Sequence, residues 1–226
     1  MMVVGVDGWN KKWVAVELHD GKFHGIYIAE TLAEIAQRSE YEVIGIDVPI
    51  GLVDAPPRKA DAAARELLQT RRSSVFDAPP AFCLSQEVAT YSDANRISKE
   101  TLGRGISAQA FALMSNIREA DSVARDDVRV FEVHPELSFT AMNNQRPMPY
   151  PKKSWSGLVD RIKALASHDI HLPDPLDGND PRSSAGRAGA DDILDAAAVA
   201  WSAQRIAAGK AIALPDKNTR LHRIWY

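Results

Sequence analysis

The chain has 226 residues, 45% of them apolar, and a formal net charge of −3 at pH 7. That length and apolar fraction fit one domain with a sizeable core, and the acidic balance weighs against a protein that grips nucleic acid chiefly by neutralising phosphates. The one cysteine, Cys83, excludes an internal disulfide and suits a reducing compartment. The first residues, MMVVGVDGW, lack the basic and apolar stretches of a secretion signal, and no apolar run is long enough to span a bilayer. The expectation is a cytoplasmic protein without a membrane partner.

Val3 to Asp7 is a short apolar run that ends in a carboxylate. Trp13 to Leu18 alternates and is rich in strand formers, Asp20-Gly21 is a strong hairpin signal, and Phe23 to Ala29 follows as a third strand. Thr31, with Glu34 three residues on, predicts a capped helix running to about Arg38. Glu42 to Val48 is the fourth strand, and a crossover through that helix sets it beside the first and parallel to it. Within VIGIDVPIG, Asp47 is the lone carboxylate of an apolar run, where burying a charge is costly unless something pairs with it.

From Pro56 the character changes. Arg58 to Gln69 is alanine-rich and helical, and Arg71 to Phe82 reads as a loop stiffened by prolines. Ser107 to Ala120 is one helix, with Ala110, Leu113, Met114 and Ile117 at helical spacing. Val128 to Val133 is a fifth strand, Leu158 to Ala166 a helix, His171 to Gly189 a long loop, and Asp191 to Ala208 a long alanine-rich helix. The terminal LHRIWY reads as a short last strand or a docked tail. The basic clusters Lys11-Lys12, Arg58-Lys59, Arg71-Arg72, Lys152-Lys153 and Arg182 with Arg187 read first as solvated faces.

With strands one, four and five adjacent and parallel, Asp7, Asp47 and Glu132 all fall near carboxyl ends, the edge where open α/β sheets bind ligands. Like charges so placed raise each other's pKa, and a divalent cation gives a reason for crowding them. On the long helix Asp192 and Asp195 share a face, as do Asp191 and Asp195, so spacing does not choose between Asp191 and Asp192. Ile193, Ala197 and Ala200 form the opposite stripe, expected to pack on the sheet. All-oxygen ligands suit Mg²⁺ or Mn²⁺ rather than zinc. Each acid alone has a plainer role: a turn for Asp7, helix caps for Asp191 and Asp192, an arginine pair for Glu132. The joint pattern carries more than any member.

The segments VVGVDGW, IGIDVPIGL, RSSVFDAP, GISAQAFALM, EVHPELSF and DDILDAAAVAW resemble, in order and over most of the chain, the DUF429 family of ribonuclease H-like nucleases. The helix piece Asp192-x-x-Asp195-Ala is also similar to the carboxylate helix of RuvC-type Holliday-junction resolvases, which tips the choice to Asp192. The resemblance implies an α/β ribonuclease H-like fold with a mixed five-stranded sheet of order 3-2-1-4-5, flanked by helices. The expectation is one domain over residues 1–226, with a helical insertion over about 52–126.

The activity so implied is divalent-metal-dependent hydrolysis of phosphodiester bonds. Asp7, Asp47, Glu132, Asp192 and Asp195 would be catalytic, with Asp7, Asp47, Asp192 and Asp195 on Mg²⁺ or Mn²⁺. Arg65, Arg71, Arg72, His134 and Lys152 are the candidate substrate contacts, with Ser73 and Ser74 as further donors. Trp9, Trp155 and Trp201 could stack on a base, although packing is the first expectation for each. Nucleic acid is one candidate partner, not strongly indicated by the net charge, and a second copy of the chain is another. Two rival readings stand beside this one. The first is an actin-like or sugar-kinase-type phosphotransferase, opposed by the short chain and the lack of a second glycine-rich phosphate loop. The second is a non-catalytic binding module stabilised by a metal.

Overall fold

The computed structural model describes residues 1–173, 188–216 and 219–226. Arg182, Arg187 and most of the expected 171–189 loop lie outside the described residues. Strands β1 (Met2–Trp9), β2 (Lys12–His19) and β3 (Lys22–Ala29) form an antiparallel meander. Asp20 and Gly21 join β2 to β3 with φ of +50° and +81°, the paired positive values that match a two-residue turn to strand twist. Helix α1 (Leu32–Ala36) is shorter than expected. Thr31 caps it by accepting from Glu34 N at 3.3 Å, while the Glu34 carboxylate reaches one residue further back, to Glu30 N at 3.1 Å.

Strand β4 (Tyr41–Ile46) then pairs parallel with β1, and β5 (Val130–Glu132) parallel with β4, which gives the order β3-β2-β1-β4-β5. Val43, Ile44 and Ile46 are all buried, as a central strand covered on both faces requires. Between β4 and β5 run α2 (Lys59–Leu68), α3 (Tyr91–Leu102), α4 (Ala108–Ala112) and α5 (Met114–Asp126). The single helix expected over 107–120 is therefore two, divided at Leu113. Helix α3 was not expected; Thr90 caps it by accepting from Asp93 N at 3.1 Å, and Gly103 closes it at φ +70°. After β5 come α6 (Pro135–Met142), α7 (Trp155–Ala166) and α8 (Ala190–Ala207). The C-terminus forms a short strand, β7 (Ile224–Trp225), paired with β6 (Ala213–Leu214) and bridged to Val133.

The sheet separates two cores. Val4, Val6, Ile44 and Ile46 pack toward α5 through Met114 and Ile117, while Val3, Val14, Val16 and Val43 pack toward the alanines of α8. Helix α8 sits unusually close to the sheet. A Cβ on Gly5 would overlap the backbone at Ala196 and Ala200, and one on Gly45 would strike Val199. Ala196, Val199 and Ala200 lie nearest the strand glycines, and Ile193, Ala197 and Ala200 of the expected stripe are buried in the same core against the sheet. The two strand glycines set this close approach, and they carry the first turns of α8 toward the carboxyl ends of β1 and β4. Among the described residues, no helix is long and apolar enough to cross a membrane.

Candidate metal centre

Asp7 lies in β1, Asp47 follows β4 directly, and Asp195 stands in the second turn of α8. Asp47 N donates to Val6 O at 2.9 Å, which continues the ladder one residue beyond β4 and fixes Asp47 beside β1. Asp7 is 8% exposed and Asp195 2%; Asp47 is partly exposed. One carboxylate oxygen from each of the three lies within 4.8 Å of the others. Lys152, just before α7, donates from Nζ to Asp195 Oδ2. Asp195 Oδ1 is buried without a hydrogen-bond partner among the described residues.

Burial raises the Asp7 carboxyl well above its ordinary range, and the charges of Asp47 and Asp195 push it further. Asp47 is pushed up to about 7, first by burial, with Glu132 and Glu136 adding and Lys152 opposing. Asp195 is likewise pushed up to about 7, by burial, with Lys152 opposing and Asp47 adding. Burial works against the Lys152 ammonium, yet Asp195, Asp47 and Asp7 outweigh it and raise its pKa. The four groups behave as three acids held together by one cation.

These groups line a cavity of about 360 Å³ that also takes in Arg58, Arg71, Ser73, Ser74, His134 and Glu136. Glu132 lines it too, but stands outside the group of three. Its Oε1 accepts from Arg58 Nη2 at 2.6 Å, and its Oε2 from Arg58 Nη1 at 2.8 Å and Ile50 N at 2.6 Å. Arg58 also grips Asp61, Nη2 to Oδ1 at 2.6 Å. Arg58 is 4% exposed, so the first residue of the Arg58-Lys59 cluster is a buried partner and only Lys59 faces solvent. This corrects the solvated-face reading, and the arginine pair is the role the structure gives Glu132.

Asp192 also stands apart from the three. Its Oδ2 accepts from Gly189 N at 3.1 Å, a cap on α8, and its pKa is raised by burial and by Asp191, while its own charge adds to the load on Asp7. Asp191 is 4.0 Å from Lys153 Nζ. Arg71 lines the cavity and reaches Glu136 at 3.4 Å, with its Nε buried and without a partner among the described residues. His134 Nε2 is 3.4 Å from Ser74 O, its Nδ1 has no partner among the described residues, and burial lowers its pKa. Arg65 is turned to Asp77 at 2.7 Å and Val75 O at 3.1 Å, and Arg72 is exposed; neither lines the cavity.

Three further residues escaped the reading of the sequence. Asp61 and Arg161 carry no motif, and Glu136 reads simply as a helix start. Glu136 is buried in the cavity wall, accepts from Arg161, and leaves Oε2 without a partner among the described residues. The only sequence signal is its place two residues after His134, in the first turn of a helix that follows the Glu132 strand.

Fold and site together define a mixed α/β protein with a buried three-aspartate centre where two parallel strands and a helix start meet. The chain belongs to the family described as "Protein of unknown function (DUF429)", whose match spans residues 5–220. Comparison with curated proteins and with solved structures gives no match.

Proposed function

We propose that this protein is a divalent-metal-dependent nuclease of ribonuclease H-like fold that hydrolyses phosphodiester bonds. The observation that carries the reading is the Asp7–Asp47–Asp195 group, with one oxygen from each within 4.8 Å. Its residues fit a hard cation. The donors are all carboxylate oxygens, the charges are underbalanced by Lys152, and Asp195 Oδ1 is buried with no partner. Mg²⁺ or Mn²⁺ bound there would activate a water and stabilise the leaving oxygen of a phosphodiester. The ribonuclease H-like label draws support from the sheet order and from the RuvC-like spacing of Asp192 and Asp195.

The chain's own groups divide the remaining work. Asp7, Asp47 and Asp195 would hold the cation, and Asp192 tightens the negative field from the start of α8. Lys152 holds Asp195 in place and lies ready to turn toward a phosphate oxygen. Arg71 and Ser73 offer donors to a phosphate in the same cavity, whereas the Ser74 hydroxyl already donates to Arg71 O at 2.8 Å. His134, kept neutral by burial and free at Nδ1, is suited to pass a proton. Glu132, locked by Arg58, acts on Asp47 through its charge and holds the Ile50 backbone. The test is a panel of single- and double-stranded DNA and RNA incubated with Mg²⁺ or Mn²⁺. Cleavage of at least one member is expected, reduced by about a hundredfold or more in Asp47→Asn and Asp7→Asn. No cleavage of any member, with no metal bound at millimolar concentration, would overturn the reading.

A further inference from the structure

We propose that Trp155 and Lys153 form a stacking platform for an unpaired nucleobase beside the candidate metal centre, so that the substrate is single-stranded nucleic acid. This rests on the nuclease reading above and narrows it. Trp155 is 78% exposed, against the first expectation that it packs. An indole left in water at the first position of a helix has surface to offer a ligand.

Hydrogen bonds tie the backbone turn that carries Trp155. Ser154 accepts from Gly157 N at 3.1 Å, and both its backbone N and its Oγ donate to Pro151 O, at 3.0 and 2.8 Å. A Cβ on Gly157 would overlap Pro151 O, so glycine is required for the turn to close. The Lys152–Trp155 segment is therefore a fixed turn that holds its aromatic ring outward.

The platform also joins the metal centre. A hollow of about 320 Å³ is lined by Lys152, Lys153, Trp155, Leu158, Ala190 and Asp191, and Lys152 also lines the carboxylate cavity. Lys153 is highly exposed and its ion pair with Asp191 is long, at 4.0 Å, so a phosphate beside a stacked base can compete for its ammonium. The charge balance then selects the strand state. At a net charge of −3 the chain gains little from tracking many phosphates, whereas stacking gives affinity that does not depend on charge or sequence. A paired base has neighbours on both faces and leaves none for the indole. An apolar protein partner would gain nothing from the two lysines that precede Ser154.

The test uses the full chain in EDTA, where no cleavage occurs, with fluorescein-labelled mixed-sequence DNA and RNA strands of about twelve nucleotides read by anisotropy. Single strands are expected to bind. Trp155→Ala should weaken them about tenfold, Trp155→Phe should stay near the parent value, and Lys153→Ala should reduce the salt dependence. A loop-free duplex of the same sequence should bind more weakly and respond less to Trp155→Ala. The proposal is overturned if single strands do not bind, if Trp155→Ala leaves their affinity unchanged, or if it weakens duplex equally. It also falls if the variant alters only self-association in sedimentation. Cleavage that persists unchanged in Trp155→Ala would end the platform and leave the nuclease reading standing. Trp155-dependent binding without any cleavage would do the reverse.

Discussion

Two groups of buried acids line one cavity and have opposite surroundings. Glu132 and Asp61 are closed around Arg58, whose planar fork reaches both carboxylates, and Ile50 N adds a further donor. Asp7, Asp47 and Asp195 face one another with Lys152 alone among them, and one Asp195 oxygen has no partner. Both groups stand near strand ends and both are largely buried. What separates them is the partner. A satisfied acid pair holds the fold, while an underbalanced trio costs stability and makes sense where a cation or substrate completes it.

The largest effect expected from breaking this contrast is on the paired side. Arg58→Ala strands two buried carboxylates and should cost about 3–5 kcal/mol, a fall in Tm of about 10 °C or more. A fall of under about 3 °C in thermal melting would mean that the pair is not what holds this wall together. The trio should answer in the opposite direction. Asp47→Asn removes a repelling charge, so the metal-free protein should gain about 1 kcal/mol, or ~3 °C. Destabilisation of the size seen for Arg58→Ala would place Asp47 in the same class as Glu132 and erase the contrast.

pH sharpens it further. Asp47 and Asp195 rise from an ordinary 3.8 to about 7 in the folded chain, and Asp7 rises as well. Between about pH 4 and pH 7 the native state therefore holds more protons than the unfolded one. The trio's contribution to metal-free stability falls as pH rises through that window and levels off above it. A divalent cation must displace those protons, so Mg²⁺ at about 10 mM should raise Tm more at pH 8 than at pH 5. Equal gains at both values would show binding elsewhere. The smallest effect expected is that of Asp192→Asn. It weakens a cap and a helix-dipole contact worth up to about 1 kcal/mol, and metal affinity should change only a few-fold. A loss of affinity as large as that in Asp195→Asn would add Asp192 to the ligands.

Much of this was legible in the sequence, for local reasons. Asp20-Gly21 encodes its own turn, and the crossover from β3 to β4 fixes the sheet order. Asp7 and Asp47 stand out because each belongs to an apolar run, and Asp195 because it shares a helix face with Asp191 and Asp192. The rest depends on tertiary partners. Arg58 and Lys59 look alike in sequence, yet one is buried and the other exposed, and only the fold brings Glu132 to Arg58. The close seating of α8 is set by Gly5 and Gly45, residues of other elements. Helix α3 went unseen because its buried positions include Ala94 and Ser98, which give little apolar periodicity. The exposure of Trp155 has no signature at all in its own neighbours.

The most direct measurement is Mn²⁺ titration of the purified chain at pH 8, read by electron paramagnetic resonance, for the parent and Asp195→Asn. The parent should take up at least one Mn²⁺ per chain, and the variant should bind at least about tenfold more weakly while keeping its fold by circular dichroism. Equal affinity in the two proteins, or no uptake by the parent at millimolar Mn²⁺, would contradict a cation centre at these three aspartates.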